Sequence, residues 1–314
     1  INYTMKKHNY SAGPCILPQE VFEKSAQAIL NFNNSDLSIL EISHRSKDFV
    51  AVMEEARALA LELLGLEGKG YQALFLAGGA SMEFLMTPYN LMKENGKAAY
   101  LDSGTWASAA IKEAKFFGET IIVASSKNEN YNHVPKGYSI PADADYFHCT
   151  SNNTIFGTQM KEFPTLDIPM VCDMSSDIFS RNIDFSKFGI IYAGAQKNMG
   201  PAGTALVVVK EEILGKNGRS IPSMLDYAKH IKAESMYNTP PVFPVYASLL
   251  TLQWLKNLGG IPAIEKINNA KADLLYTEID RNPLFKGTAV VEDRSTMNAT
   301  FLLDTPLHTD TFNA

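Results

Sequence analysis

Short apolar runs and amphipathic stretches alternate along most of this chain. Residues 19–31 and 47–64 (KDFVAVMEEARALALELL) carry apolar side chains at helical spacing. YQALFLAGGASMEFLMTPYNLM follows, an apolar run, a glycine turn and a helix. AAYLDSGTWASAAIKEAKFFG repeats that arrangement, and ETIIVAS predicts a further strand. DYFHCTSN, IPMVCDMSS, FGIIYAGA and TALVVVK add four short runs rich in β-branched and aromatic residues. Strands alternating with helices predict an α/β fold, a mainly parallel central sheet with helices on both faces. Such sheets collect ligands at the carboxyl ends of their strands. Of the polar residues singled out below, Ser81, Trp106, Thr154, Asp173 and Lys197 follow predicted strands.

From LGGIP at 258–262 the pattern changes. AIEKINNAKADLLYTEIDRNP predicts an amphipathic helix and RSTMNATFLLDTP a strand, the start of a smaller α+β unit. The expected organisation is a large domain over 19–258 and a small domain from 1–18 and 259–314. One helix and one or two strands do not close a compact layer. The small domain therefore reads as incomplete, and the chain as shorter than its natural relatives.

Composition narrows the function class. The 314 residues are 46% hydrophobic with a formal net charge of −6, and no basic run offers a nucleic-acid surface. No segment approaches the roughly 18 apolar residues of a membrane span. INYTMKKHNYSAG lacks the apolar core of a signal peptide. Cys15, Cys149 and Cys172 are too few and too scattered for a disulfide scaffold or a zinc cluster. They predict reduced, mostly buried thiols in a cytoplasmic protein, with no metal.

Lys197 stands in AGAQKNMGPAG, ringed by small residues. An amine that reacts with an aldehyde needs a lowered pKa, a fixed position and room for a flat ring. A tight loop of small residues supplies the last two; a surface lysine in a Gly-Pro turn is the plain alternative. Asp173 ends the apolar run IPMVC. A carboxylate there needs a cation or donors, and a protonated pyridine nitrogen is one such partner; a helix N-cap is the other reading. AGGASMEF puts Gly78 and Gly79 at a strand-to-helix turn, with Ala80 and Ser81 opening the helix, a seat for phosphate. It lacks the third glycine of the dinucleotide fingerprint, which tells against a nicotinamide enzyme. Trp106 could stack on an aromatic cofactor or fill the core. Thr154 could donate to a phenolic oxygen or simply serve a turn. His44 and Arg45 form a cationic pair that faces either solvent or an anion. Asn238 and Thr239 precede a Pro-Pro break and are loop residues.

Together SAGPCILP, EISHRS, AGGAS, SGTW, SNNTIFGT, CDMSSDIFSR, YAGAQKNMGPAG and MYNTPP resemble the phosphoserine aminotransferase family, fold-type I, class V pyridoxal-phosphate enzymes. The resemblance implies that Lys197 forms the Schiff base with pyridoxal 5'-phosphate and then moves a proton between substrate and cofactor. It implies that Asp173 pairs with the ring nitrogen, Trp106 stacks on the ring and Thr154 donates at the ring oxygen. Ala80, Ser81 and Gln196 would hold the cofactor phosphate, joined by Asn238 and Thr239 from the neighbouring subunit of a homodimer. His44 and Arg45 would bind the distal anion of the substrate. The implied reaction moves an amino group between L-glutamate and 3-phosphohydroxypyruvate, with phosphohydroxythreonine as a related substrate in vitamin B6 synthesis.

Two departures bear on that reading. Some members place an arginine in the glycine turn, where this chain has Ala80-Ser81-Met82. The family also continues with a C-terminal His-Arg pair and a further arginine that hold substrate, beyond Ala314. The alternatives are therefore a truncated cofactor-binding protein without transaminase activity, or another class V aminotransferase of alanine–glyoxylate type. A cysteine desulfurase is disfavoured, because no cysteine sits in a glycine-rich loop.

Overall fold

The computed structural model describes residues 8–305 and His308. Helices α1 (Gln19–Leu30) and α2 (Lys47–Leu63) lead into β1 (Tyr71–Leu76), α3 (Gly79–Leu91), β2 (Lys97–Asp102), α4 (Thr105–Ala114) and β3 (Glu119–Ser125). Then come β4 (Phe147–Thr150), the hairpin β5 (Asn152–Asn153) and β6 (Thr158–Gln159), β7 (Met170–Asp173), β8 (Ile190–Gly194), the single turn α5 (Ala195–Asn198) and β9 (Ala205–Lys210). The chain continues through α6 (Tyr227–Lys232), α7 (Val242–Leu258), α8 (Gly260–Arg281), β10 (Phe285–Gly287) and β11 (Phe301–Leu303).

Seven strands form one sheet in the order β1-β9-β8-β7-β4-β2-β3. Neighbours are parallel except around β9, which runs antiparallel to both β1 and β8. The reason is the link: residues 195–204 are too short for the crossover that a parallel return requires. Apolar side chains leave both faces. Cys149, Cys172 and Ile191 pack with Phe49 and Met53 of α2 and Leu249 and Leu252 of α7. Val171, Ile190 and Tyr192 pack with Phe84 and Met86 of α3 and Ile111 of α4. Burial on both faces explains why the strands read as continuous apolar runs.

One element escapes the sequence reading. VFPVYASLLTLQWLKNL forms α7, a helix so uniformly apolar that it shows no amphipathic stripe. It ends at Gly259, whose φ of +109° closes α7 and opens α8. The predicted strand RSTMNATFLLDTP contributes only β11, paired with β10 as a separate two-stranded sheet. Its first half instead lies as an irregular strip against the β5–β6 hairpin, because its polar groups bond there. Cys149 and Cys172 are buried free thiols and Cys15 is half-buried. Among the described residues, no helix is long and apolar enough to cross a membrane.

Candidate active site

Lys197 projects from α5, directly after the buried strand β8. The turn is tied by the amides of Met199 and Gly200, which both donate to Ala195 O at 3.2 and 2.9 Å. Lys197 Nζ lies 3.3 Å from Thr154 Oγ1 and 5.5 Å from the centroid of the Trp106 ring. The glycines after it serve a different purpose from the one the sequence suggested. A Cβ on Gly200 would collide with Ser248 of α7, and one on Gly203 (φ +123°) would lie 2.8 Å from Pro244 Cγ. They admit α7. The glycine that makes room at the lysine is Gly13, whose added Cβ would meet Lys197 Cγ at 3.2 Å. The same N-terminal stretch is held by Cys15 N, which donates to Gln196 O at 3.0 Å. Gly13 was missed as a site residue, although SAGPC is a distinctive motif.

Asp173 is the last residue of β7, buried, and faces the side of the sheet that α3 covers. Its register partners are Thr150 on β4 and Tyr192 on β8. Its carboxylate accepts from Ser175 N at 2.9 Å. Burial raises the Asp173 pKa, while the Ser175 bonds and the charge of Lys197 pull it back down. Among the described residues it has no ion-pair partner.

Two glycine turns frame the site. Gly78 (φ +102°) opens α3, whose first turn carries Ala80 and Ser81 and no acidic residue, leaving amides free for an anion. Gly104 opens α4, and a Cβ there would lie 2.5 Å from Asn153 Oδ1. The turn that carries Trp106 thus presses on the hairpin that carries Thr154. Asp102 anchors α4 from below, accepting from Ser108 Oγ at 2.6 Å and Ser125 Oγ at 2.7 Å. Trp106 itself is 38% exposed, a large aromatic face left open beside the lysine. The Gln196 side chain folds back over Gly194, where an added Cβ would meet its Oε1 at 2.8 Å.

Pyridoxal phosphate needs an amine for its aldehyde, an acid for its ring nitrogen, a flat partner and a seat for its phosphate. Lys197, the unpaired buried carboxyl of Asp173, the open indole of Trp106 and the α3 N-terminus meet those needs. The residues fit the group. Among the described residues, the other predicted residues make no hydrogen bond to this cluster. Arg45 is exposed ahead of α2, with its amide on Ser43 Oγ at 3.2 Å, and His44 is half-buried beside it. Asn238 Nδ2 donates only to the neighbouring Thr239 O, at 3.4 Å. Among the described residues, neither pair bonds to Lys197, Asp173, Thr154 or Trp106. One contact was not foreseen at all: Thr154 O accepts from Asn298 Nδ2 at 2.7 Å.

Comparison with known proteins places the chain in a family. The family model described as Aminotransferase class-V matches residues 8–310. The phosphoserine aminotransferase of Flavobacterium psychrophilum is 84% identical over 309 residues, covering 98% of this chain and 87% of that protein. The solved phosphoserine aminotransferase of Bacillus circulans subsp. alkalophilus superposes with a TM-score of 0.95 at 41% identity, covering 99% of this chain and 87% of that one. The PLP-bound phosphoserine aminotransferase of Trichomonas vaginalis gives a TM-score of 0.92 at 34% identity, covering 98% and 88%. The chain belongs to the class-V aminotransferases.

Proposed function

We propose that this chain acts as a phosphoserine aminotransferase, moving an amino group between L-glutamate and 3-phosphohydroxypyruvate to give O-phospho-L-serine and 2-oxoglutarate, with pyridoxal 5'-phosphate as cofactor. The observation that carries the reading is the meeting of Lys197, Thr154 and Trp106, with Asp173 buried at the end of the adjacent strand β7, in a chain 84% identical to an enzyme of that name. Phosphohydroxythreonine, which bears the same phosphate on a chain one carbon longer, is a second substrate in this reading.

The bound cofactor supplies an aldehyde that takes the amino group and a ring that accepts electrons from the substrate α-carbon. Lys197 Nζ binds the cofactor and carries a proton to and from that carbon. The Asp173 carboxylate holds the proton of the ring nitrogen. Its buried position makes that pairing strong, since a neighbouring cation relieves the cost of burying the charge. The Trp106 indole covers the ring and excludes water from one side, and the Thr154 hydroxyl holds the ring's oxygen. Ala80, Ser81 and Gln196 bind the phosphate, with the α3 N-terminus adding favourable dipole charge. His44 and Arg45 bind the substrate's distal anion, a task that suits bidentate guanidinium.

In this reading two copies associate as a homodimer, and Asn238 and Thr239 of one copy reach the phosphate held by the other. Exposed apolar side chains near the N-terminus, Phe22, Leu30, Leu37 and Leu40 among them, support an apolar contact of this kind. Residues 19–258 form the cofactor-holding domain, and 1–18 with 259–314 the smaller one. The setting is the cytoplasm, consistent with free thiols at Cys15, Cys149 and Cys172.

Two measurements test the proposal. Borohydride reduction of the yellow holoprotein followed by peptide mass mapping places the label on Lys197; a label elsewhere, or none, refutes the site. Paired half-reactions with phosphoserine and with alanine as donors give fast conversion only with phosphoserine. Preference for alanine would move the chain to the alanine–glyoxylate type.

A further inference from the structure

We infer that Asn298, far from the lysine in sequence, is a positioning residue that fixes Thr154 for its role at the cofactor. The inference rests on the proposed role of Lys197 as the cofactor lysine. Thr154 begins the four-residue turn of the β5–β6 hairpin, which closes through Gly157 N to Asn153 O at 2.8 Å with Gly157 at φ +72°. A pair of two-residue strands has little stability of its own. What holds this turn is the strip 294–300. Ser295 N donates to Gly157 O at 2.9 Å, and Thr300 Oγ1 donates to Phe156 O at 2.9 Å. A Cβ on Gly157 would run into Thr300, so the strip and the turn are packed without spare room.

Asn298 occupies the position that matters for the site. Its Nδ2 donates to Thr154 O at 2.7 Å, while its Oδ1 accepts from Asn152 Nδ2 at 2.9 Å. Asn152 is itself fixed by Ser176 Oγ, which accepts from the same Nδ2 at 2.9 Å, and by Ser295 Oγ, which donates to its Oδ1 at 2.5 Å. The Asn298 amide is therefore clamped at both ends, and one end is the residue whose hydroxyl takes the Lys197 bond at 3.3 Å. The strip is anchored in turn to α8. Arg294 forms a two-pronged bond to Asp280, and Tyr276 OH donates to Ser295 O at 2.9 Å. Without the Asn298 amide, the Thr154 carbonyl loses its described donor and the hydroxyl loses its fixed direction.

A hydroxyl that donates to a cofactor oxygen favours the more negative form of the lysine-bound cofactor, and so lowers the pH at which its visible band titrates. The test is a double-mutant cycle on the holoprotein with Asn298→Ala and Thr154→Val, reading the pH midpoint of that band and the cofactor dissociation constant. Asn298→Ala is expected to raise the midpoint by about half a unit or more. It should weaken cofactor retention severalfold, and add almost nothing in the Thr154→Val background. If the alanine variant does not fold, Asn298→Leu replaces it, close to the amide in volume, uncharged and unable to donate to Thr154. A folded variant with an unmoved midpoint, or an equal shift in both backgrounds, overturns the inference. A borohydride label away from Lys197 in the unaltered chain instead overturns the reading beneath it.

Discussion

Among the predicted site residues, two groups are treated differently by the fold. Lys197, Thr154, Trp106 and Asp173 are carried to one point by the ends of β8, β5, β2 and β7 and their turns. His44, Arg45, Asn238 and Thr239 stay on loops ahead of α2 and α7, bonded to near neighbours in sequence. The first group is the one to which the proposed function assigns the protons and the flat ring. The second is assigned to anions, and among the described residues none of it bonds to the lysine. Parallel strands pointing the same way converge their carboxyl ends by construction, which serves Lys197, Asp173 and Trp106, while Thr154 enters on the antiparallel β5–β6 hairpin; a loop reaches a site only if something brings it there. In the proposed function, that something is a second copy of the chain for Asn238 and Thr239.

The largest test of this division is Lys197→Ala. It should abolish the visible band of the bound cofactor and slow amino transfer by roughly 10²–10⁴-fold from lost proton transfer alone, as single-turnover kinetics would show. Substantial residual transfer would break the interior half of the comparison.

Glu83, on α3 behind the proposed phosphate seat, sharpens it. This residue is fully buried, accepts from Tyr227 OH at 2.5 Å and, among the described residues, leaves Oε1 without a partner. Burial lifts its carboxyl from the ordinary 4.5 to about 8, against the pull of the Tyr227 bond. The unfolded chain releases this proton near 4.5 and the folded one near 8, so folding stability falls across that interval and the penalty is complete above it. Glu83→Gln, which matches the neutral acid in shape, should raise stability at pH 9 by at most about 5 kcal/mol and hardly change it at pH 4. Melting curves at the two pH values decide; equal changes at both would mean that Glu83 does not stay protonated in the fold.

Arg45→Ala addresses the exposed group. Losing one charge-assisted contact of about 1.5–3 kcal/mol should raise KM for phosphoserine roughly tenfold to a hundredfold while kcat holds. Steady-state kinetics with both constants unmoved would remove Arg45 from the anion site. The smallest effect belongs to Gly200→Ala, which forces a methyl against Ser248 of α7. A loss of about 1–3 kcal/mol in stability is expected, read as a lowered Tm. No change would mean that the loop has slack and that α7 does not set its shape.

Much of this was legible in advance, for identifiable reasons. Lys197, Asp173 and Trp106 each sit beside a short apolar strand with small or glycine neighbours, so local pattern marks both the element and its end. The helix over 242–258 was not legible as such, because burial all round erases the periodicity that would announce it. The glycines of AGAQKNMGPAG were legible as a request for space but not for whom: Gly200 and Gly203 yield to α7, and Gly13, over 180 residues earlier in the chain, yields to the lysine. Asn298 gave no signal, since its bond to Thr154 spans 144 positions.

The amino-acid order alone settles what is local: where strands run, where glycine lets the backbone turn, and which reactive side chains stand at strand ends. Those follow from periodicity and from steric limits on single residues. Which of those side chains meet, which face of a loop is pressed by a helix, and which distant amide steadies a hydroxyl were decided only by the folded molecule. Such contacts depend on strand order and close packing across the chain, and nothing in the neighbouring sequence encodes the partner.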